Sequence, residues 1–187
     1  MNRKVLRFSL HVVLVSLLTS GSILWDVIPA RAEEGRQVTA TPFDRKIDGA
    51  GISLALAHPS GVPDKNPETL FMISRSFRYV RDARGDRWQS PQETDARHSG
   101  DCEDKAIWLF YRLKLSGAHD VRLVIGKFKR HMGEFHVWVT YRDAGGGLCL
   151  ADPTLQKRIW HVSDFSGNNF YVPLFSFDGI NRYIHAG

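Results

Sequence analysis

Two cysteines are all that the 187 residues contain, which excludes a small scaffold stapled by several disulfides. No apolar run reaches the ~20 residues that a membrane-spanning helix needs, so no stable membrane insertion is expected. Internal repeats and low-complexity segments are missing, which excludes solenoids, propellers and linker-like chains. A long basic stripe with interleaved aromatics is missing too; Lys127-Phe128-Lys129-Arg130 is the nearest approach. Of the formal net charge of +5, +3 comes from Arg3, Lys4, Arg7 and Arg31 against Asp26. The remainder is close to neutral, and nucleic acid is not an expected partner.

What is present begins with an export signal. Met1-Asn2-Arg3-Lys4 is a charged start, Val12 to Leu24 is mostly apolar, and Ala30-Arg31-Ala32 is a small-x-small cleavage site. No cysteine lies near that site, so a lipid anchor is not expected. Residues 1–32 read as a signal peptide and 33–187 as one mature domain that works outside the cytoplasm. The composition, 43% hydrophobic and 24% charged, is that of an ordinary globular protein.

Within the domain, residues 33 to about 48 read as a loose polar lead-in. Ala50 to Leu56 reads as a short helix or strand, and His58 to Pro67 as a loop. Asn66-Pro67-Glu68 opens a helix with a capping residue, a proline at its first position and an early acid; Leu70, Ile73, Phe77 and Val80 are its expected buried stripe. A charged loop, Arg81 to Asp86, delivers Trp88-Gln89-Ser90-Pro91, followed by a polar connection. The central element is Gly100-Asp101-Cys102-Glu103-Asp104-Lys105-Ala106. Ala106, Leu109, Phe110 and Leu113 fall at i, i+3, i+4 and i+7, the stripe of a helix packed on a core. Ser99 or Asp101 can cap its start, Gly100 frees the backbone to turn, and Gly117 is its natural stop. Then strands are expected at Val121–Ile125, Glu134–Tyr141, Leu148–Ala151, Arg158–Val162 and Phe170–Phe175. Helices first and strands second imply an α+β domain, an antiparallel sheet packed on the cysteine helix.

A cysteine in the first turn feels the positive end of the helix dipole, which favours its thiolate. In Phe135-His136-Val137-Trp138-Val139-Thr140-Tyr141 side chains alternate, with His136, Trp138 and Thr140 on one face. The next strand ends at Leu150-Ala151-Asp152-Pro153, and a hairpin between the two makes His136 and Asp152 neighbours. Cys102, His136 and Asp152 thus supply a nucleophile, a base and the acid that orients the base. The backbone N–H of Cys102 is a natural oxyanion donor. Asp101, Glu103 and Asp104 would oppose a thiolate by like charge. Either they complement the dipole and face water, or Asp101 and Glu103 hold a hard cation through oxygen ligands. Trp88 is a core aromatic or a wall of the site. Cys149 reads as a buried apolar thiol, with a disulfide to Cys102 as the plainer alternative. His131, His136 and Cys149 lack a metal-binding spacing, and His131 reads as a loop residue at the rim of the site.

Trp88-Gln89-Ser90-Pro91-Gln92-Glu93, the Gly100–Ala106 stretch, Phe135-His136-Val137-Trp138-Val139, Leu150-Ala151-Asp152-Pro153 and Tyr171-Val172-Pro173-Leu174-Phe175-Ser176 resemble the bacterial transglutaminase-like cysteine peptidases. Their best known branch is the LapG type, a periplasmic protease that cuts surface adhesins. The resemblance runs from about Leu70 to the end. It implies a papain/transglutaminase-like fold, a Cys102/His136/Asp152 triad, and calcium at Asp101 and Glu103, with no cofactor required for the chemistry itself. It also implies a periplasmic cysteine protease, a protein substrate at the cell envelope such as a surface adhesin, and a regulatory membrane protein as partner. Asp152-Pro153 stands where that branch usually shows Asp-Asn, and Lys105 stands where an aromatic is common. Acyl transfer from glutamine to an amine, as in a transglutaminase, uses the same triad. A non-catalytic binding domain on the same fold is the reading from a different class.

Overall fold

In the computed structural model, residues 35–58, 66–83, 85–128, 133–165 and 171–186 are described. The export signal and His131 lie outside them. The chain runs β1 (Arg36–Val38), α1 (Asp44–Gly49), α2 (Ile52–Ala57), α3 (Pro67–Ser76), β2 (Arg78–Tyr79), α4 (Pro91–Arg97), β3 (Ser99–Gly100) and α5 (Cys102–Leu115). It continues through β4 (His119–Phe128), β5 (His136–Arg142), β6 (Leu148–Ala151), β7 (Trp160–His161), a 3-10 turn (Val162–Phe165), β8 (Tyr171–Phe177) and β9 (Arg182–Ile184). This is the expected α+β division.

Seven strands form one sheet in the order β1-β9-β8-β4-β5-β6-β7, with every neighbouring pair antiparallel. The period-2 alternation of β4 to β6 divides their side chains between two faces. Leu123, Ile125, Val137, Val139, Tyr141 and Ala151 join α5 in the main core, while Val124, Trp138 and Leu150 form a small cluster on the other face. Helix α5 is enclosed nearly all round, and Ala106, Ile107, Leu109, Phe110 and Leu113 have no exposed surface. Each such large side chain contributes about 1.5–3 kcal/mol of burial, so the helix carrying Cys102 is held rigidly. Gly117 ends it in the left-handed region, φ 79°, with Ala118 N–H donating to Leu113 O at 3.1 Å.

Several elements depart from expectation. The lead-in contains β1 and α1, whose short runs carry no periodic signal. The connection after Pro91 is helix α4, opened by a capping box: Ser90 Oγ accepts from Glu93 N–H and Glu93 accepts from Ser90 N–H. Helix α3 begins as read, with Asn66 Oδ1 accepting from Thr69 N–H at 2.8 Å, but stops at Ser76. Val80 therefore lies beyond the helix and is exposed. Lys105, by contrast, is buried, and its ammonium donates to Arg75 O and Phe77 O, the open carbonyls at the end of α3. An aromatic there would leave those carbonyls without this donor.

Candidate active site

Cys102 is the first residue of α5 and Asp101 its N-cap. Gly100 does not turn the chain, since its φ lies outside the left-handed region; it makes room. A Cβ there would meet Asp104 Cβ at 2.4 Å and Oδ2 at 2.6 Å. That close approach lets the Asp104 carboxylate accept from Asp101 N–H, Gln89 N–H and Gln89 Nε2–H. The Trp88-Gln89 segment is thereby locked onto the first turn of α5. Trp88 itself is buried and stacks on Phe43, with its indole N–H donating to Asp86. It is a core aromatic.

His136 and Asp152 meet. His136 Nε2 lies 2.7 Å from Asp152 Oδ2, and Asp152 is completely buried. Asp152 Oδ1 accepts from Thr154 and Leu155 N–H, while Oδ2 also accepts from Tyr171 O–H at 2.7 Å. Burial pushes this carboxyl up, but these donors outweigh it and hold the pKa below the usual carboxylate value. Tyr171 in turn accepts from Gln156 Nε2–H, and Gln156 Oε1 accepts from Trp160 Nε1–H. With Nε2 taken by Asp152, Nδ1 is the imidazole nitrogen left for a substrate or a thiol. Gly126 is cross-strand from His136; a Cβ there would strike Val172 O at 2.1 Å and the Trp138 ring at 2.6 Å. Trp138 stacks against His136, so the glycine keeps the wall behind the imidazole in place.

The Cys102 sulfur is partly exposed, and the backbone of Val137, the residue after His136, acts on it in the direction that favours the thiolate. Helix start, histidine strand and Asp152 thus converge at one end of the sheet. The thiol also donates to Glu103 Oε2 at 3.1 Å. Burial, then the Glu103 and Asp101 carboxylates, push its pKa well above that of a free thiol, against the Val137 N–H. Cys102 and Cys149 are both free, so the disulfide alternative does not hold.

The acids do not face water. Asp101 and Glu103 are each 6% exposed, and burial followed by the Asp101 charge raises Glu103 to about 9. Asp82 joins them: ligand oxygens of Asp82, Asp101 and Glu103 all lie within 4.8 Å of one another. Asp101 Oδ1 is buried without a hydrogen-bond partner, the signature of an acceptor shaped for something other than protein. An all-oxygen, anionic donor set fits a hard cation such as Ca²⁺. The parallel pairing of β2 with β3, Tyr79 opposite Gly100, is what carries the Asp82 loop to the cysteine helix. In the sequence that loop, Arg81 to Asp86, shows charge but no ligand spacing, so Asp82 joins the group only through this pairing.

Neither a family model nor a curated protein matches the sequence. Among solved structures, Legionella pneumophila LapG in an EGTA-treated form is 18% identical, with a TM-score of 0.55 over 73% of this chain and 85% of that one. Calcium-bound Legionella pneumophila LapG is 19% identical, with a TM-score of 0.54 over 84% of this chain and 85% of that one. The likeness is one of fold: helices over an antiparallel sheet in the transglutaminase-like arrangement. Among the described residues no helix is long and apolar enough to cross a membrane.

Proposed function

We propose that this protein is an exported, periplasmic cysteine peptidase, with Cys102 as nucleophile, His136 as base and Asp152 as the acid that orients it. The observation that carries the reading is the division of labour on one imidazole. Nε2 is committed to a buried carboxylate, while the helix that begins at Cys102 packs on the strand that begins at His136. His136 takes the thiol proton, the sulfur attacks the scissile carbonyl, and the amide N–H of Cys102 supports the oxyanion. The same imidazole returns the proton to the leaving amine, and then activates water against the thioester. Asp152 keeps the imidazole oriented and steadies its positive form.

Asp82, Asp101 and Glu103 would hold a calcium ion, whose chemistry here is positive charge set against buried carboxylates. While Glu103 accepts from the thiol, the proton is directed away from His136. Engaging Glu103 elsewhere frees the sulfur for the imidazole. That both calcium-bound and EGTA-treated forms of LapG exist as structures supports this reading. The substrate is a protein of the cell envelope, a surface adhesin being the type the family resemblance suggests, and a membrane protein would regulate access to it.

The test compares new protein N-termini in envelope extracts given mature wild type or Cys102→Ala, with and without a calcium chelator. Termini that appear only with wild type, and fade under chelation, are expected. Equal termini with both proteins would overturn proteolysis. Ammonia release with cross-linked glutamines would then point to acyl transfer, and their absence to a binding domain.

A further inference from the structure

A second cluster of the same three residue types lies outside this site. The β5–β6 hairpin and strand β7 bring Asp143, Cys149 and His161 together, with their ligand atoms within 4.8 Å of one another. The placement follows from register. Cys149 pairs with Tyr141 on β5 and with His161 on β7, so these side chains form one row across three strands. Asp143 closes the hairpin: its Oδ1 accepts from Gly145 and Gly147 N–H at 2.9 and 2.8 Å, which fixes the carboxylate. Its Oδ2 is turned to the other two, 4.0 Å from Cys149 Sγ and 3.6 Å from His161 Nδ1. The Sγ···Nδ1 separation is 3.8 Å.

The geometry differs in kind from that around His136. A proton relay needs the two imidazole nitrogens to face different partners. At His161 the sulfur and the carboxylate both approach Nδ1, so three lone-pair donors converge on one point. The separations are a few tenths of an ångström longer than the roughly 3.3–3.6 Å edges of a tetrahedron built on ordinary zinc–sulfur, zinc–nitrogen and zinc–oxygen bonds. Gly147 borders the gap. A Cβ there would lie 3.1 Å from Asp143 Oδ2 and 3.2 Å from His161 Nδ1, although the backbone is not in the left-handed region. Behind the sulfur lies Tyr141, the cross-strand partner of Cys149, buried with it in the main core. Cys149 is buried while half of the His161 side chain is exposed, which leaves an entry path from solvent.

We propose that Asp143, Cys149 and His161 form a second cation site, selective for a thiophilic divalent ion of the zinc class. On binding, Cys149 loses its thiol proton to solvent and coordinates as the thiolate, with no redox change. The ion would tie β7 to the β5–β6 turn. It would thereby brace the intervening connection, which carries Asp152 and Gln156.

The test uses the mature chain carrying Cys102→Ala, so that Cys149 is its one thiol, in excess calcium, with Co²⁺ and Zn²⁺ as probes. One equivalent of Co²⁺ should give a thiolate-to-metal charge-transfer band that Zn²⁺ displaces. Zn²⁺ should slow alkylation of Cys149 by iodoacetamide at least tenfold. His161→Ala, a change at a half-exposed side chain, should weaken zinc binding about 10- to 100-fold. Further replacement of Cys149 by Ser should abolish the band. Absence of the band together with unprotected alkylation in the folded Cys102→Ala protein would overturn the proposal.

Discussion

The two constellations in this molecule are built from one cysteine, one histidine and one aspartate each, yet their geometry differs. At Cys102, His136 and Asp152 the carboxylate claims Nε2 alone and the thiol comes from another element, a rigid helix start. At Cys149, His161 and Asp143 all three come from adjacent strands and one turn, and two partners share Nδ1. Residue type does not separate a relay from a cage. The direction of the lone pairs does.

The largest contrast expected is in catalysis. Cys102→Ala should lower peptidase activity about 10⁴-fold or more, since a nucleophile acts as a unit with its base. Cys149→Ser should leave activity within about tenfold, read as kcat/KM on the substrate found by N-terminal profiling. Comparable losses in both variants would erase the distinction.

Glycine substitutions extend it to packing. Gly100→Ala must displace Asp104, whose Cβ lies 2.4 Å from the new atom, and should cost about 1–3 kcal/mol in urea unfolding. Gly147→Ala meets its neighbours only at 3.1–3.2 Å and should cost less, while weakening the Co²⁺ band.

A third histidine supplies a pH test away from both sites. His185 Nε2 pairs with Ser176 Oγ, and Nδ1 is buried without a partner. Burial, then the Arg122 charge, lower its pKa from 6.5 to about 4. Between those values the unfolded chain takes up a proton that the folded one refuses, so stability falls as pH falls from 6.5 towards 4. The loss should be on the order of 2 kcal/mol and should shrink in His185→Gln, checked by urea midpoints across that window.

The smallest effect is expected at Tyr171→Phe. It removes one donor to Asp152 and one acceptor for Gln156, leaving His136 in place. A fall of about tenfold in kcat with KM unchanged is expected; an unchanged kcat would show that Asp152 needs no such support.

Much of this was legible in the sequence, and the failures are instructive. The α5 stripe, its stop at Gly117, the alternation in β5 and the Asp152 terminus follow from periodicity and turn chemistry. Strand β6 is bounded by glycines and proline, and its limits match. Helix α4 had a readable capping box in Ser90, Pro91 and Glu93, which its polar composition concealed. Asp82 and His161 could not be assigned, because their roles depend on pairing registers, β2 with β3 and β6 with β7, that two-residue strands do not announce. Gly100 was visible as a glycine, but its reason, a carboxylate pressed against its α-carbon, exists only in the folded chain.

The most direct test of the central claim is the rate of iodoacetamide modification at each cysteine, resolved by intact and peptide mass, in calcium and in the wild type and His136→Ala. Fast modification of Cys102 that collapses in His136→Ala, with Cys149 slow in both, is the predicted result. Equal rates at the two cysteines, or a Cys102 rate indifferent to His136, would contradict it.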